Sequence, residues 1–308
     1  MDKIKRKELI SMCRSPKNVV DENEHLLTER PRIMSNFPIT NFLILIFFLV
    51  LIGIMPEFLT TNRITSIDIA INLFNAAILS IFMVWLIPQL NLRKNHLIVF
   101  IWLTLFIVQN FNNMIEAYFF TSVFSSVIHF FSSVLISLVV TFLEGIVIVS
   151  LLVTKNTGNS ITESIKTHIS SRSRTSWIMR VTAASLAYFF IFFLFGAPIS
   201  PFIMKYYSDP ALGLTIPPPE IIIPLEIFRG FVYAVTLLPV VALIRSKKKF
   251  LTIALILFVP GAFIPLVSNV LTFPIQIIPF HMVEILADSL VYGFVLYKIL
   301  DRQYFHNR

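Results

Sequence analysis

The chain has 308 residues, of which 56% are hydrophobic and only 14% are charged. A soluble domain of this size would be about one-quarter charged. The long apolar runs instead predict an all-α, polytopic transmembrane helix bundle. The formal net charge of +8 is carried mostly by segments between the apolar runs, which is typical of membrane topology and not of nucleic-acid binding. The single cysteine, Cys13, allows neither an internal disulfide nor a cysteine-based metal site.

A basic N-terminal tail occupies residues 1–38, and a single transmembrane domain is predicted over residues 39–300. The first apolar run follows about forty polar residues without a small-x-small cleavage pattern, so we expect a retained helix and not a signal peptide. Eight runs can each cross the roughly 30 Å hydrocarbon core as a helix of about 20 residues: 39–58, 68–89, 97–119, 125–153, 177–196, 220–244, 250–270 and 276–299. The run 125–153 is over-long, which predicts either one tilted helix or two segments.

The orientation follows from the basic residues of the connecting segments. With eight spans, the tail, the segments after spans two, four and six, and the C-terminal end all fall on one side, which is predicted to be cytoplasmic. The loops on the opposite side contain only two basic residues, Arg63 and Lys205. Both termini are therefore expected in the cytoplasm, and the cell membrane is the expected location.

Two connections are longer than the others. The outer loop 197–219 contains six prolines, which predict a stiff, non-helical path; it would either cap an outward-facing cavity or simply connect two spans. The inner loop 154–176 is polar and rich in serine and threonine, and we expect part of it to form a short helix on the membrane surface. It contains no nucleotide-binding loop, so no nucleotide cofactor is expected.

An internal duplication of four plus four spans, related by an axis along the membrane normal, is a further hypothesis. The basic segments 92–96 and 245–249 lie about 150 residues apart, as do His129 and His281 at the start of spans four and eight. The two halves otherwise share little residue identity.

Ionisable and amide side chains recur at helical spacing within four of the spans. At about 100° per residue, His281, Glu284 and Asp288 fall on one narrow stripe of span eight. Span three carries Asn112, Asn113 and Glu116 on one stripe, span four carries His129 among serines, and span six carries Glu226 and Arg229. A charged group at membrane depth is costly and usually faces the bundle interior or water. We therefore predict that the four stripes meet in an outward-biased polar cavity.

The predicted cavity would bind an ion or a small solute through nine residues. They are Asn112, Asn113, Glu116, His129, Glu226, Arg229, His281, Glu284 and Asp288. The structural alternative stays open, because buried ion pairs and amide hydrogen bonds also hold transmembrane helices together.

The first functional hypothesis is a transporter or permease-like protein, since intramembrane carboxylates and histidines suit proton relay or cation binding. Interruptions at Pro239, Pro260-Gly261 and Pro265 would fit the broken helices of transporters. The lipid bilayer and a small ion or polar solute are the expected partners, and the oligomeric state stays open.

The second hypothesis is a membrane-embedded metal-dependent enzyme, with His129, His281 and Glu284 as candidate ligands of a divalent metal. The segment EIFRGF at 226–231 shares an Arg-Gly pair with the E-E-x-x-x-R-G signature of the CAAX-type intramembrane metalloproteases. Positions 224 and 225 are Pro224 and Leu225, where that signature has paired glutamates, so this activity is not transferred to the chain. A third hypothesis is a non-catalytic sensor, assembly factor or complex subunit whose basic tail touches anionic lipid or a partner.

Overall fold

A computed structural model of the protein describes residues 38–61, 64–90, 92–154, 158–244, 249–270 and 273–301. The predicted basic tail lies outside these ranges, apart from Pro38. Over the described residues no strand forms, and extended pairing is restricted to isolated bridges between Leu92 and Asn159 and between Thr121 and Leu214. Besides two short 3₁₀ turns at Ile87–Gln89 and Pro210–Leu212, the described part of the chain contains nine longer helices, named α1 to α9 in order: Ile39–Thr61, Ser66–Leu86, Lys94–Phe120, Val127–Leu152, Ile161–Ile169, Arg174–Tyr207, Pro219–Leu243, Lys249–Ser268 and Ile278–Leu300.

Seven helices are long and apolar enough to cross a membrane: α1, α2, α3, α4, α6, α7 and α8. They coincide with the first seven predicted spans. The over-long run 125–153 forms one continuous helix of 26 residues, α4. The run 276–299 is also helical, as α9. The inner loop contains the expected short helix, α5, which has an acidic first turn and a basic last turn.

The outer loop differs from its prediction, because its first half is helical. Helix α6 continues through Pro198 and Pro201 as far as Tyr207. A proline inside a helix removes one backbone donor and leaves a carbonyl four residues earlier without its partner. The carbonyl that Pro201 leaves free belongs to Ala197, and the Ser200 hydroxyl donates to it at 2.9 Å. Local side-chain bonding therefore carries the helix past a residue that the sequence pattern treats as a breaker.

Two of the long helices contain π-helical turns, at Leu105–Phe111 in α3 and at Val259–Phe263 in α8. The predicted interruption at Pro260-Gly261 is therefore a widened turn of a continuous helix. The two turns pack together, because a Cβ at position 261 would lie only 2.9 Å from Val108 Cγ1. The Asn113 amide donates to the Gly261 carbonyl at 2.7 Å across this contact. A side-chain hydrogen bond thus joins α3 and α8 where their backbones come closest.

Helix α9 runs antiparallel to α6 along its whole length. Phe280 stacks on Phe202 near one end, with ring centroids 5.0 Å apart, and Tyr292 contacts Tyr188 in the middle, with centroids 4.9 Å apart. At the other end, Arg180 Nη1 donates to the Ile299 carbonyl. Helix α9 therefore lies alongside α6, one of the seven apolar helices, from Arg180 to Phe202.

Connecting segments meet at each end of the bundle. At the end that we call the proline end, Ser122 N donates to the Gly213 carbonyl at 2.8 Å, and Ile203, Leu214 and Ile277 form an apolar cluster. At the opposite, basic end, Lys249 Nζ pairs with Asp301 Oδ1 at 2.9 Å. The ends of α6 and α9 thus lie among the predicted outer segments on one side and the predicted inner segments on the other.

Candidate functional site

A cavity of about 500 Å³ lies toward the proline end, between α3, α6, α7, α8 and α9. Phenylalanine and aliphatic side chains form most of its wall, and Leu214, Ile216, Phe273 and Ile277 from the connecting segments lie at its outer margin. Its volume falls in the range of small-molecule sites, which are usually apolar with a few placed polar groups. The ionisable and amide groups on the wall are Asn113, Glu116, Tyr188, Tyr207, Arg229, Tyr233, Asn269, His281, Glu284, Asp288 and Tyr292.

Arg229 of α7 organises one side of the cavity. Its Nη2 donates to Glu116 Oε2 at 2.5 Å, and its Nη1 donates to both carboxylate oxygens of Glu226, at 2.9 and 3.0 Å. Its Nε donates to Asn112 Oδ1 at 3.1 Å. Arg229 and Glu226 are buried, whereas the Glu116 side chain keeps 35% of its surface exposed toward the cavity. All three guanidinium nitrogens are therefore already bonded within the protein.

The opposite side of the cavity comes from α9. His281 Nδ1 lies 2.9 Å from Glu284 Oε2, one helical turn along the same helix. Glu284 is buried against α6, where Gly196 leaves room for it, since a Cβ at position 196 would lie 2.9 Å from Glu284 Oε1. A larger residue at position 196 would therefore require the end of the Glu284 side chain to shift.

Asp288 lies one turn further along α9 and also faces the cavity. Its Oδ1 is buried, and no hydrogen-bond partner for that atom lies among the described residues. A buried carboxylate oxygen without a partner is costly in a folded protein. Asp288 Oδ1 is therefore an acceptor at the cavity whose hydrogen-bonding capacity the described residues leave unused.

Three buried tyrosines from three helices close the inner end of the cavity. Tyr188 of α6 contacts Tyr233 of α7 and Tyr292 of α9, with ring centroids 5.3 and 4.9 Å away. The Tyr292 hydroxyl donates to the Gly230 carbonyl at 2.9 Å. The guanidinium carbon of Arg229 lies 5.7 Å from the centre of the Tyr188 ring. The cavity therefore combines aromatic faces with carboxyl groups.

Acidic groups outnumber basic ones at this site. Four carboxyl groups, those of Glu116, Glu226, Glu284 and Asp288, surround one guanidinium and the His281 imidazole. Arg229 contacts two of the four carboxylates. The remaining two lie on α9, and neither forms an ion pair with a lysine or arginine of the described residues. Chemically, such a wall suits a cation, a proton or a hydrogen-bond donor.

The structure brings most of the predicted residues together. Glu116, Asn113, Arg229, His281, Glu284 and Asp288 line the cavity, and Asn112 and Glu226 support Arg229 from behind it.

His129 was wrongly expected to share the cavity, because it is exposed at the start of α4 and is absent from the cavity wall. Ser126 N-caps α4 by accepting from the His129 N–H, and Ser133 donates to the His129 carbonyl. Serine side chains of the polar stripe in span four therefore bond to the backbone of their own helix. Glu144, deeper on the same helix, is buried away from the cavity.

Helix α6 supplies a wall that the sequence reasoning missed. It contributes Tyr188, Gly196 and Ser200, none of which is charged, so a search for ionisable stripes passes over it. A single tyrosine and glycine in a phenylalanine-rich span were the only signals of this role.

The metal-site candidates do not form one cluster. His281 and Glu284 are adjacent, but His129 contacts Ser125 and Phe124 on its own segment. In the described ranges, no group of three histidine, cysteine, aspartate or glutamate side chains has an arrangement that would hold a metal ion.

Comparisons with protein-family models, with curated proteins and with solved structures give no match to this chain. The seven apolar helices therefore define its class: it is an all-helical integral membrane protein. Within that class, function has to be argued from the cavity itself.

Proposed function

We propose that the protein is a transporter or permease-like protein that moves a small polar solute or ion through the cavity at its proline end. The observation that carries this proposal is the pair of α9 carboxylates, Glu284 and Asp288, on the wall of a 500 Å³ cavity. Ionisable groups at membrane depth are costly, and they commonly mark substrate or ion pathways.

The two sides of the cavity differ in how well a purely structural role explains them. Arg229 with Glu116, Glu226 and Asn112 forms a network that joins α3 to α7 and pairs each of its charged groups, although Asn112 Nδ2 is buried without a partner among the described residues; such networks serve as helix-helix glue. Asp288 Oδ1 has no such partner within the described chain. The α9 side therefore favours a binding role over a structural one.

We further propose that α9 is an eighth membrane span, which places both termini on the cytoplasmic side of the cell membrane. The antiparallel packing of α9 on α6 from Phe202 to Arg180 supports this, because α6 is itself apolar and long enough to cross. The buried pair between Lys249 and Asp301 adds support by fixing the end of α9 beside the start of α8.

The four-plus-four repeat is supported by the positions of the π-helical turns. They occur in α3 and α8, which are the third spans of the two halves, about 150 residues apart. The fourth spans also pack alike: Gly145 of α4 abuts Trp102 of α3, and Gly293 of α9 abuts Ala254 of α8. Related halves with a site between them are common in transporters.

The transport proposal is tested by uptake of a broad panel of radiolabelled ions and small polar solutes into proteoliposomes. We expect at least one solute to accumulate above protein-free liposomes. The Glu284→Gln variant should abolish that uptake, whereas Glu163→Gln, on the exposed face of α5, should retain it.

Uptake at background level across the whole panel, with correctly inserted and folded protein, would contradict the transport proposal. Equal uptake by wild type and Glu284→Gln would dissociate transport from this cavity.

A further inference from the structure

We propose that the ligand of this cavity is an organic cation, a small molecule that carries an ammonium group on a compact apolar body. The proposal rests on the proposed function only in naming this ligand as the transported solute. The cavity would bind this ligand class whether or not the protein then carries it across the membrane. Three features of the wall define the class, namely its charge, its aromatic faces and its size.

The wall disfavours an anion although it contains an arginine. Nε, Nη1 and Nη2 of Arg229 each donate to Asn112, Glu226 or Glu116. An anionic ligand would have to displace one of these buried contacts and would approach three further carboxyl groups. Juxtaposing like charges in this way weakens binding by about a hundredfold or more. Arg229 therefore sets the position of Glu116 and does not itself recruit an acid.

The wall favours a positive charge on its α9 side. Among the described residues, Glu284 pairs with the weak base His281 alone, and Asp288 presents a buried oxygen without a partner. The two carboxyl groups lie four residues apart on one face of α9, so they are neighbours across one helical turn. A cationic head group placed between them would pair directly with two carboxyl groups that no described lysine or arginine contacts as an ion pair.

The aromatic wall favours an organic over an inorganic cation. Tyr188, Tyr233 and Tyr292 all line the cavity together with Phe192 and Phe193. Aromatic faces attract ammonium groups, and cages of such rings are used for quaternary and methylated amines. An inorganic divalent ion would need several oxygen ligands at short distance, and no metal-holding group of three acids or histidines occurs among the described residues.

The volume leads to the same class. A cavity of about 500 Å³ is an order of magnitude larger than the roughly 30 Å³ that one water occupies in the liquid. It accommodates an amine with a body of several carbon atoms, in contact with Phe192, Phe193 and the aliphatic wall. The polar end of such a ligand would face Glu284 and Asp288, and its apolar body would replace water against the rings.

The test is equilibrium binding to the full chain in lipid nanodiscs, measured by calorimetry. The probes are choline, tetraethylammonium and agmatine, each paired with the neutral molecule in which carbon replaces the charged nitrogen group. We expect at least one cation to bind, and to bind at least tenfold more tightly than its neutral isostere. Asp288→Asn should weaken that cation roughly 30-fold or more, as expected for removing one partner of a buried charge pair.

Two further variants separate binding from folding. Glu144→Gln removes a buried carboxyl group of α4 that does not line the cavity, so it should leave the affinity unchanged. Tyr188→Phe keeps the ring face and should also retain binding, whereas Tyr188→Leu should lose it while the thermal unfolding midpoint shows that the protein remains folded.

Cations that bind no better than their isosteres, or affinity that is insensitive to Asp288→Asn, would overturn the proposal, as would binding of anions alone. Binding without uptake in proteoliposomes would leave this ligand class standing and refute the transport function. Uptake restricted to neutral or anionic solutes would support the transport function and refute the organic-cation ligand.

Discussion

At the scale of single residues, Arg229 is held by several buried contacts at once. It is 3% exposed and bonds to two carboxylates and an amide from two helices. Removing one partner of a buried ion pair typically costs about 3–5 kcal/mol, because a charge is left uncompensated. Arg229 is thus expected to stabilise the folded protein mainly by neutralising the carboxylates of Glu116 and Glu226 inside the bundle.

Replacing Arg229 with alanine should therefore lower the thermal unfolding midpoint of the purified protein strongly. A double variant, Arg229→Leu with Glu226→Leu, should recover part of the loss, since it removes a buried pair together. Lys205→Ala, at an exposed position of α6, is the matched control and should change the midpoint little. A midpoint for Arg229→Ala equal to that of wild type would show that the network does not stabilise the bundle.

Arg229 and its partners show how much of the site could be predicted from the sequence at the scale of single residues. Helical spacing was sufficient to predict that Glu226 and Arg229 share a face, and that Glu116 and Asn112 share another. Spacing within one helix could not reveal which helices meet, so His129 was grouped with the cavity, whereas it bonds to Ser125 and Ser126 of its own segment. Helix rotation about its axis is set by packing against several partners at once.

At the scale of elements, the bundle depends on close approach of helix backbones. A Cβ at position 293 of α9 would lie 2.9 Å from the backbone nitrogen and Cα of Ala254 in α8. A Cβ at position 53 of α1 would instead meet the end of the flexible Asn72 side chain, at 2.7 Å. Similar distances thus have different consequences, because a side-chain terminus can move and a backbone cannot.

The Gly293→Ala variant is accordingly expected to destabilise the protein by about 1–3 kcal/mol, the usual cost of overpacking. Gly53→Ala should be close to neutral, since alanine also favours a helix by up to about 1 kcal/mol over glycine. Thermal unfolding of both variants in the same detergent compares them. Equal midpoints would mean that α8 and α9 are not as closely packed as described.

The basic end is held together partly by a histidine. His168 of α5 is buried, and its Nε2 lies 3.0 Å from the Leu300 carbonyl at the end of α9. Burial lowers the pKa of His168 from its ordinary value of 6.5, and this outweighs the opposing hydrogen bond to Leu300. The neutral ring, with its proton on Nε2, therefore serves as a cap for a helix carbonyl.

Because the folded state disfavours protonation of His168, the unfolded state binds more protons as the pH falls below 6.5. The stability contributed by this site is therefore complete above that pH and is lost progressively below it. His168→Gln keeps a donor for the carbonyl but does not titrate, so its unfolding midpoint should fall less with acidification than that of wild type. Parallel pH profiles for the two proteins would contradict this assignment.

The proline end shows the limit of prediction at the scale of elements. Apolar run lengths correctly located the seven apolar helices, because the bilayer demands helices of a set length. The extension of α6 through Pro198 and Pro201 could not be predicted, since it depends on the Ser200 hydroxyl bonding to Ala197 O and on packing against α9.

At the scale of the whole molecule, the central claim is that the bundle opens a polar cavity to the outside while its basic end faces the cytoplasm. The charge asymmetry of the connecting segments predicts this orientation. Glu116, Arg229 and the α9 carboxylates lie toward the proline end, which is the predicted outer side of the bundle. One cysteine-labelling measurement tests both the orientation of the bundle and the side to which the cavity opens.

The measurement uses the Cys13→Ser chain, which has no cysteine, as background for Ser200→Cys on the cavity wall and Ser170→Cys at the exposed basic end. Intact cells are treated with a membrane-impermeant maleimide before and after permeabilisation. The account predicts that position 200 reacts in intact cells and position 170 reacts only once the membrane is opened. Labelling of position 170 in intact cells, or protection of position 200 until permeabilisation, would contradict it.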